Sequence, residues 1–333
     1  MRKRNLFLLV SALFLLGLGA AMFAGCDGGG GSPGVSAYNF TSANMEDAAR
    51  AGTDAITLFG PFTDVLAIII GQFPPQVESV GPAAVIDLGD LGLCISGTSN
   101  LTWNDADDSG TLSAGDSVTL TLADCVVDIG STANATIVLA FTAVTLAPVD
   151  ITADVDLDIT TVETVDSTVE TERFTGVFTV QVSSLDGFDY TVVYTGADPD
   201  GLLTDRLNGT LLAKMGCFTV TQAFSALDPA GTFTLIANGV ISTGGKIMTI
   251  STPGAPLGFV PGTPDPYPDS GALDLLGGGQ CAAVGSPNLL TSPSGNYIVF
   301  TAVPGDLDDV TIELFDSSDT LLDAISTTWS ALD

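Results

Sequence analysis

The sequence predicts a mainly β protein. The expected fold is an antiparallel β-sandwich, or a curved sheet or partly closed barrel, with two N-terminal helices packed on it. Three observations predict this. Apolar and polar residues alternate with period two over long stretches. The alternating positions are rich in Val, Phe and Thr, which suit a pleated, half-buried surface. Clusters of Gly, Pro, Asn and Asp separate the runs, as turns require. Period two sends successive side chains to opposite faces, so a strand with one apolar face belongs to a sheet wet on one side.

The first element lies outside that fold. MRKRN leads into LFLLVSALFLLGLGAAMFAG, a basic head on an apolar run that ends in small residues. This is the pattern of a secretory signal, although the run is also about long enough to stay as a membrane anchor. It ends in Phe23-Ala24-Gly25-Cys26, which resembles the lipobox of bacterial lipoproteins, where a small residue precedes the Cys that is acylated. Phe23 departs from the aliphatic residue usual at its position. The resemblance covers the first 26 residues. It implies that 1–25 is a signal peptide, that Cys26 becomes the lipidated N-terminus, and that a lipid bilayer of the cell envelope is a partner. Asp27 resembles the inner-membrane retention signal of enterobacterial lipoproteins. Other bacteria sort by other rules, so inner or outer membrane, periplasmic or surface face, all stay open. The run DGGGGSPG makes 26–40 a flexible tether with a reach on the order of 20 Å.

The helical segment spans 41–73. Thr41-Ser42 can cap a helix in which Met45, Ala48, Ala49, Gly52, Ala55 and Ile56 recur at three- and four-residue spacing. Gly60-Pro61 interrupts it, and Pro61 suits the first turn of a second helix through Val65 to Ile70.

From residue 74 to 333 the sequence reads as one antiparallel β domain. Strands are expected at 93–104 and 117–127, joined by an acidic loop. Ile137 to Leu146 is apolar on both faces and reads as a central strand. Val155, Leu157 and Ile159 alternate with Asp154, Asp156 and Asp158. Phe174, Phe178, Val180 and Val182 alternate with Thr and Gln, and Tyr190, Val192 and Tyr194, then Phe218, Val220 and Phe224, repeat the pattern. Residues 251–271 hold six prolines and read as a long surface loop. Strands follow at 296–303, 308–315 and 320–329, a tail too short to bury a core alone. Trp103 and Trp329 read as packing anchors. An outer-membrane barrel is disfavoured, because Asp occurs on alternating faces too often for a lipid-facing band.

Setting Cys26 aside leaves Cys94, Cys125, Cys217 and Cys281. Three pairings are open in an oxidising compartment, and four buried thiols are the alternative. Order along the chain favours Cys94–Cys125 and Cys217–Cys281. For the first there is a geometric reason as well: a hairpin around the acidic loop brings Cys94 and Cys125 together at its base.

Composition narrows the chemistry. The 333 residues hold 39 Asp plus Glu, 8 Lys plus Arg and no His, a formal net charge of −31. Such a chain repels phosphate, which argues against nucleic-acid partners. Without His there is no Ser-His-Asp or Cys-His catalysis and no His-ligated metal. A hard divalent cation held by oxygen suits the remaining inventory.

The stretch DADDSGTLSAGD, Asp105 to Asp116, concentrates that inventory. It resembles the calcium loop of EF-hand and dockerin-type proteins, D-x-[DN]-x-[DN]-G-x₅-E. The resemblance implies ligation by Asp105, Asp107 and Ser109, a sharp turn at Gly110, and the backbone carbonyl of Thr111 as a further ligand. Leu112 would enter the core, Ser113 would hold a bridging water, Asp116 would close the shell, and Asp108 would point outward. The match spans twelve residues. Asp116 is one methylene shorter than the usual Glu, and the flanks read as strands rather than helices. The implied cofactor is therefore structural calcium on a β-hairpin, with an ordinary solvated turn as the alternative. Asp306, Asp308 and Asp309, or Asp316 and Asp319, lack the glycine and spacing of such a loop, and Asp198-Pro199-Asp200-Gly201 reads as a turn.

These readings point to a non-enzymatic, lipid-anchored envelope protein with a calcium-stabilised β domain, structural or binding in role. One alternative is a carrier of apolar ligands such as lipids, suggested by the apolar helices and a mean hydropathy of +0.45. Another is a glycoside-acting enzyme, since two carboxylates suffice for that chemistry.

Overall fold

The computed structural model describes residues 36–57, 59, 84–91, 93–128, 131–165, 168–197, 201–225, 233–259, 268–281, 284, 286–289, 295–304 and 308–332. In chain order the elements are β1 (Ser36–Ala37), α1 (Met45–Thr57), β2 (Ala84–Asp90), β3 (Ser96–Asp105), β4 (Ser117–Asp128), β5 (Ser131–Leu146), β6 (Val149–Val165), β7 (Thr168–Ser184), β8 (Asp189–Gly196), β9 (Leu202–Leu207) and β10 (Thr210–Ser225). There follow β11 (Phe233–Thr243), β12 (Lys246–Ser251), β13 (Leu257–Phe259), β14 (Pro268–Ser270), β15 (Ala272–Gly277), β16 (Gly279–Cys281), β17 (Ser286–Leu289), β18 (Tyr297–Ala302), β19 (Asp309–Phe315), β20 (Leu321–Thr328) and a final helical turn, Trp329–Leu332. The protein is mainly β, as its alternation predicts. Of the two helices expected before residue 74, the described residues hold α1; the second, at 61–70, lies outside them. The signal, Cys26 and the tether as far as residue 35 also lie outside them. The chain forms two compact units, one within 58–185 and 203–212, the other within 36–57, 186–202 and 213–332.

The first unit is a meander. β2 to β7 each pair antiparallel with the next strand, and β9 pairs with β7. Among the described residues no pairing returns to β2, so the strands do not close into a barrel. Alternation decides which face is dry. On β6, Val155, Leu157 and Ile159 are buried while Asp154 and Asp156 are exposed. Each buried side chain of this size contributes about 1.5–3 kcal/mol. The wet face is organised by cross-strand partners: Arg173 Nε and Nη2 donate to Asp158, Thr179 Oγ1 to Asp154, and Gln181 Nε2 to Asp150.

Ile137 to Leu146 is central by pairing but one-sided by burial, unlike its reading as apolar on both faces. Ile137, Leu139 and Phe141 are buried, whereas Ala140 and Leu146 are exposed. The cause is its neighbour: Val138 and Ala140 lie opposite Asp156 and Asp154, so that face of β5 shares the aspartate surface.

In the second unit the order β8–β10–β11–β12–β15–β18–β19–β20 is antiparallel throughout. β1 adds two parallel pairs to β12. The strands expected in the tail are β18, β19 and β20, and β15 joins them to β12. The proline-rich stretch is not wholly irregular, contrary to expectation. β13 pairs with β11 and β14 with β13, and Phe259 stacks on Phe233 at 4.4 Å. Pro268 is tolerated because it opens β14, where the missing N–H breaks no ladder.

Helix α1 starts after Asn44 rather than at the expected Thr41-Ser42 cap. Thr41 to Asn44 forms a turn instead, closed by the Asn44 N–H on the Thr41 carbonyl and by the Thr41 N–H on Asn44 Oδ1. Glu46 and Asp47 in the first turn suit the positive end of the helix dipole. Met45, Ala48, Ala49, Gly52 and Ala55 are buried. A Cβ on Gly52 would stand 3.1 Å from the Phe300 ring and 3.3 Å from Leu275, so the small residue sets how closely the helix lies on β15 and β18. Trp103 and Trp329 are both fully buried, Trp329 edge-on to Phe300 at 6.4 Å.

Both favoured disulfides are present. Cys94–Cys125 closes the base of the β3–β4 hairpin, with Cα atoms 5.1 Å apart. Cys217–Cys281 joins β10 to β16 beside Val240, Ile247 and Val284. At the first bridge, Gly97 has φ +93°, and a Cβ there would stand 2.2 Å from the Asp124 carbonyl oxygen, so only glycine fits. The Cys94–Cys125 bridge spans 31 residues of sequence, for which chain-entropy reasoning gives about 3–4 kcal/mol. Replacing both cysteines by serine is expected to lower unfolding stability by that order, measured by chemical denaturation.

Candidate metal centre

The acidic loop joins β3 to β4, as the strand-like flanks predict. The hairpin register places Asn104 opposite Ser117 and Trp103 opposite Val118, so Asp105 and Asp116 stand at the two mouths of the loop. Alternation along β3 turns Asp105 to the same side as Leu101 and Trp103. That is the buried side: Asp105 is 3% exposed and Asp116 1%. Leu112, 5% exposed, fixes the loop's middle to the core as expected.

Asp105, Asp107 and Asp116 each offer a carboxylate oxygen within 4.8 Å of the others. Among the described residues this is the one such group of His, Cys, Asp and Glu; the acids of the 308–319 region do not form a second. Asp316 is instead a turn residue, accepting from the Ser318 and Thr320 N–H groups.

Hydrogen bonds preorganise the three carboxylates. Asp105 accepts from the Ser109 N–H at 3.1 Å and the Gly110 N–H at 2.8 Å. Asp107 accepts from the Ser109 N–H at 3.1 Å and from Ser113 Oγ at 3.0 Å. Asp116 spans the loop, taking the Ala106 N–H at 2.9 Å on one oxygen and the Ser113 N–H at 2.8 Å on the other. Ser109 Oγ donates to the Thr111 carbonyl at 2.8 Å. The six residues expected to ligate are thus brought together, with the Ser109 and Ser113 hydroxyls and the Thr111 carbonyl bonded within the group.

The loop's curvature needs two left-handed residues. Gly110 supplies φ +67° at the expected turn, and Asp108 supplies φ +57°. Asp tolerates that region better than most residues, so Asp108 shapes the backbone beyond adding charge. It is half-buried rather than pointed into solvent.

Sequence reasoning missed the loop's attachment to β5. The Gly115 N–H donates to the Phe141 carbonyl at 2.8 Å, and the Phe141 N–H to the Asp116 carbonyl at 2.9 Å. The motif holds no sign of this contact, because it depends on the β4–β5 register, which pairs Ser117 with Ala140.

The electrostatics favour a cation and repel anions. No Lys or Arg occurs between residues 105 and 116. Two carboxylates about 4–5 Å apart repel by about 1 kcal/mol in water, and burial of Asp105 and Asp116 weakens the screening. Oxygen donors without sulfur or imidazole select a hard cation, and three carboxylates, two hydroxyls and a carbonyl fit calcium.

No family model, no curated protein and no solved structure matches this chain. Among the described residues no helix is long and apolar enough to cross a membrane.

The Asp107 carboxyl is held below its ordinary value, first by the Ser109 hydroxyl and then by the Ser113 hydroxyl and the Ser109 N–H. A depressed carboxyl adds stability that is present above the ordinary carboxylate pKa of 3.8 and is lost as pH falls through the folded value. In a side-chain NMR titration Asp107 is expected to protonate below 3.8, and Ser109→Ala to move its midpoint upward.

Proposed function

We propose that this chain is an exported lipoprotein, anchored through acylated Cys26, whose β fold is stabilised by calcium in the loop Asp105–Asp116. Its role at the cell envelope is structural or binding rather than catalytic. The observation that supports the reading most directly is the convergence of Asp105, Asp107 and Asp116 at the mouth of the β3–β4 hairpin. In this reading Asp105 and Asp116 hold the ion from the two mouths. Asp107, Ser109 and the Thr111 carbonyl complete the shell, and Ser113 holds a water. The ion neutralises carboxylates that otherwise repel one another inside a partly dry loop.

The flanks are strands, and Asp116 is bonded through its backbone to β5. Neither favours the helix opening by which sensor proteins respond to calcium. The ion's effect is to tie β3, β4 and β5 together at one end. An envelope protein faces extracellular calcium, for which weak sites of about 10⁻⁴–10⁻³ M suffice. The acidic wet faces keep so β-rich a chain from pairing edge to edge.

Thermal unfolding with calcium and then with chelator tests the loop. Calcium at ten times its dissociation constant is expected to add about 1.4 kcal/mol. That gain is expected to vanish in Asp105→Ala and Asp116→Ala. Equal midpoints with and without calcium in the unsubstituted protein would return the loop to a solvated turn.

The anchor is tested separately. Bacteria expressing the chain and fed a labelled fatty acid are expected to label it, with the label and membrane association both lost in Cys26→Ala. Label retained in that variant would remove the lipoprotein reading while leaving the calcium reading intact.

A further inference from the structure

The short strand β1 fixes the point at which the tether joins the second unit. Ser36 and Ala37 pair parallel with Lys246 and Ile247 at the start of β12. The Ser36 N–H donates to the Gly245 carbonyl at 3.1 Å, and the Tyr38 N–H to the Ile247 carbonyl at 2.8 Å. Tyr38 and Phe40 are then buried, and Asn296 Nδ2 donates to the Phe40 carbonyl at 3.0 Å. Because β1 runs parallel to β12, the chain meets β12 at the end that carries the Gly244–Gly245 turn from β11. The tether expected over 26–40 is therefore shorter, since the chain is bound from Ser36 onward. Nine residues, 27–35, separate Ser36 from Cys26. At about 3.6 Å per residue they reach at most about 32 Å. An anchor at Cys26 thus keeps the β11–β12 turn within that distance of the bilayer.

The charge around this turn is unlike that of the rest of the protein. Of the 39 Asp and Glu residues, none falls between 28 and 45, between 206 and 227, or between 229 and 264. Those stretches supply β1, β10, β11, β12 and β13. Past Lys3 the chain has two lysines, Lys214 and Lys246, and both are here. Lys246 is exposed beside the turn, its Nζ 4.9 Å from the centre of the Tyr38 ring. Lys214 stands on β10 opposite Ser242, one register step from the Thr243–Lys246 pair. Alternation puts the two side chains on opposite sides of the sheet, so they flank the turn. Among the described residues the ion pairs are Arg50–Glu46 and Arg173–Asp158, and neither lysine has a carboxylate partner.

A formal charge of −31 repels a surface of anionic lipid. An end without acids, carrying two unpaired lysines, is where such a protein can touch one. The four-carbon stems let both ammonium groups reach toward headgroups beyond the turn.

We propose that the β11–β12 turn is the membrane-facing end of the second unit, docked through Lys214 and Lys246 on the phosphates of anionic lipids. The proposal rests on the lipid anchor at Cys26 and adds the orientation in which the anchor holds the unit. Two lysines alone bind a bilayer weakly. The tether makes their contact intramolecular, at a high effective concentration, and that turns a weak attraction into a fixed orientation.

The test uses the acylated chain purified from bacterial membranes and placed in lipid nanodiscs, with a gadolinium chelate on some headgroups. Amide relaxation then reads distance from the bilayer. In discs containing phosphatidylglycerol, the Gly244, Gly245 and Lys246 amides are expected to relax severalfold faster than those of Thr234 and Leu235. The latter two lie at the other end of β11. In the Lys214→Gln/Lys246→Gln double variant the docked-to-free ratio is expected to fall about fivefold per lysine. Discs of phosphatidylcholine alone are expected to show the same loss, and Lys214→Arg/Lys246→Arg to retain the contact.

Equal relaxation at both ends of β11, or faster relaxation at Thr234, would overturn the proposal. So would an excess that survives both the Gln substitutions and the neutral discs, since the tether alone would then account for it. Lys246→Gln also removes a contact with Tyr38. Should that release β1, seen as lost protection of the Tyr38 amide, Lys214→Gln alone decides. The mass of the N-terminal peptide reports acylation in the same sample. An unmodified Cys26 would remove the lipoprotein reading and this proposal with it, whereas acylated Cys26 with both ends of β11 alike would remove the orientation only.

Discussion

A sheet built from long antiparallel strands sorts its side chains by parity, and nearly everything else in the first unit depends on that sorting. β5, β6 and β7 run for 16, 17 and 17 residues. Each residue shift of register would exchange the aspartate face for the apolar one, so pairing and burial enforce each other. The chain can carry a formal charge of −31 because most of its carboxylates fall at positions that this parity sends to water. The same rule makes the exceptions informative. Asp105 and Asp116 are buried, and each is held by backbone N–H groups rather than by solvent.

At the β3–β4 loop, backbone N–H groups from Ala106, Ser109, Gly110 and Ser113 donate to the carboxylates of Asp105, Asp107 and Asp116. The loop lies at a strand end, where the ladder stops and a polar group can approach the dry face without breaking interstrand bonds.

Disulfides serve a different need. With 39 acids against 8 bases, self-repulsion works against a compact state, and constraining the unfolded chain offsets part of it. Cys94–Cys125 does so at the base of the hairpin whose other end presents the acidic loop. Cys217–Cys281 does so within an apolar group that includes Val240 and Ile247.

The sequence by itself determined the strand content, the parity of the wet faces, the hairpin around Asp105–Asp116, the favoured cysteine pairs and the tail strands β18 to β20. Apart from the Cys217–Cys281 pair, which order along the chain favours, these are local: they follow from period two, from turn residues, or from spacing within one hairpin. Only the tertiary structure decided what depends on neighbours. Whether Val138 is wet or dry depends on Asp156 opposite it. That Asp116 is anchored on Phe141 depends on the β4–β5 register. The short strands around Pro256 and Pro268 form because β11 offers them a partner. The helix start moved to Asn44 because the Thr41 N–H found its acceptor in the Asn44 side chain. The pairing of β9 with β7 could not be read from either strand. Its physical reason is the close packing of Leu203 on Gly176, which brings β9 onto β7.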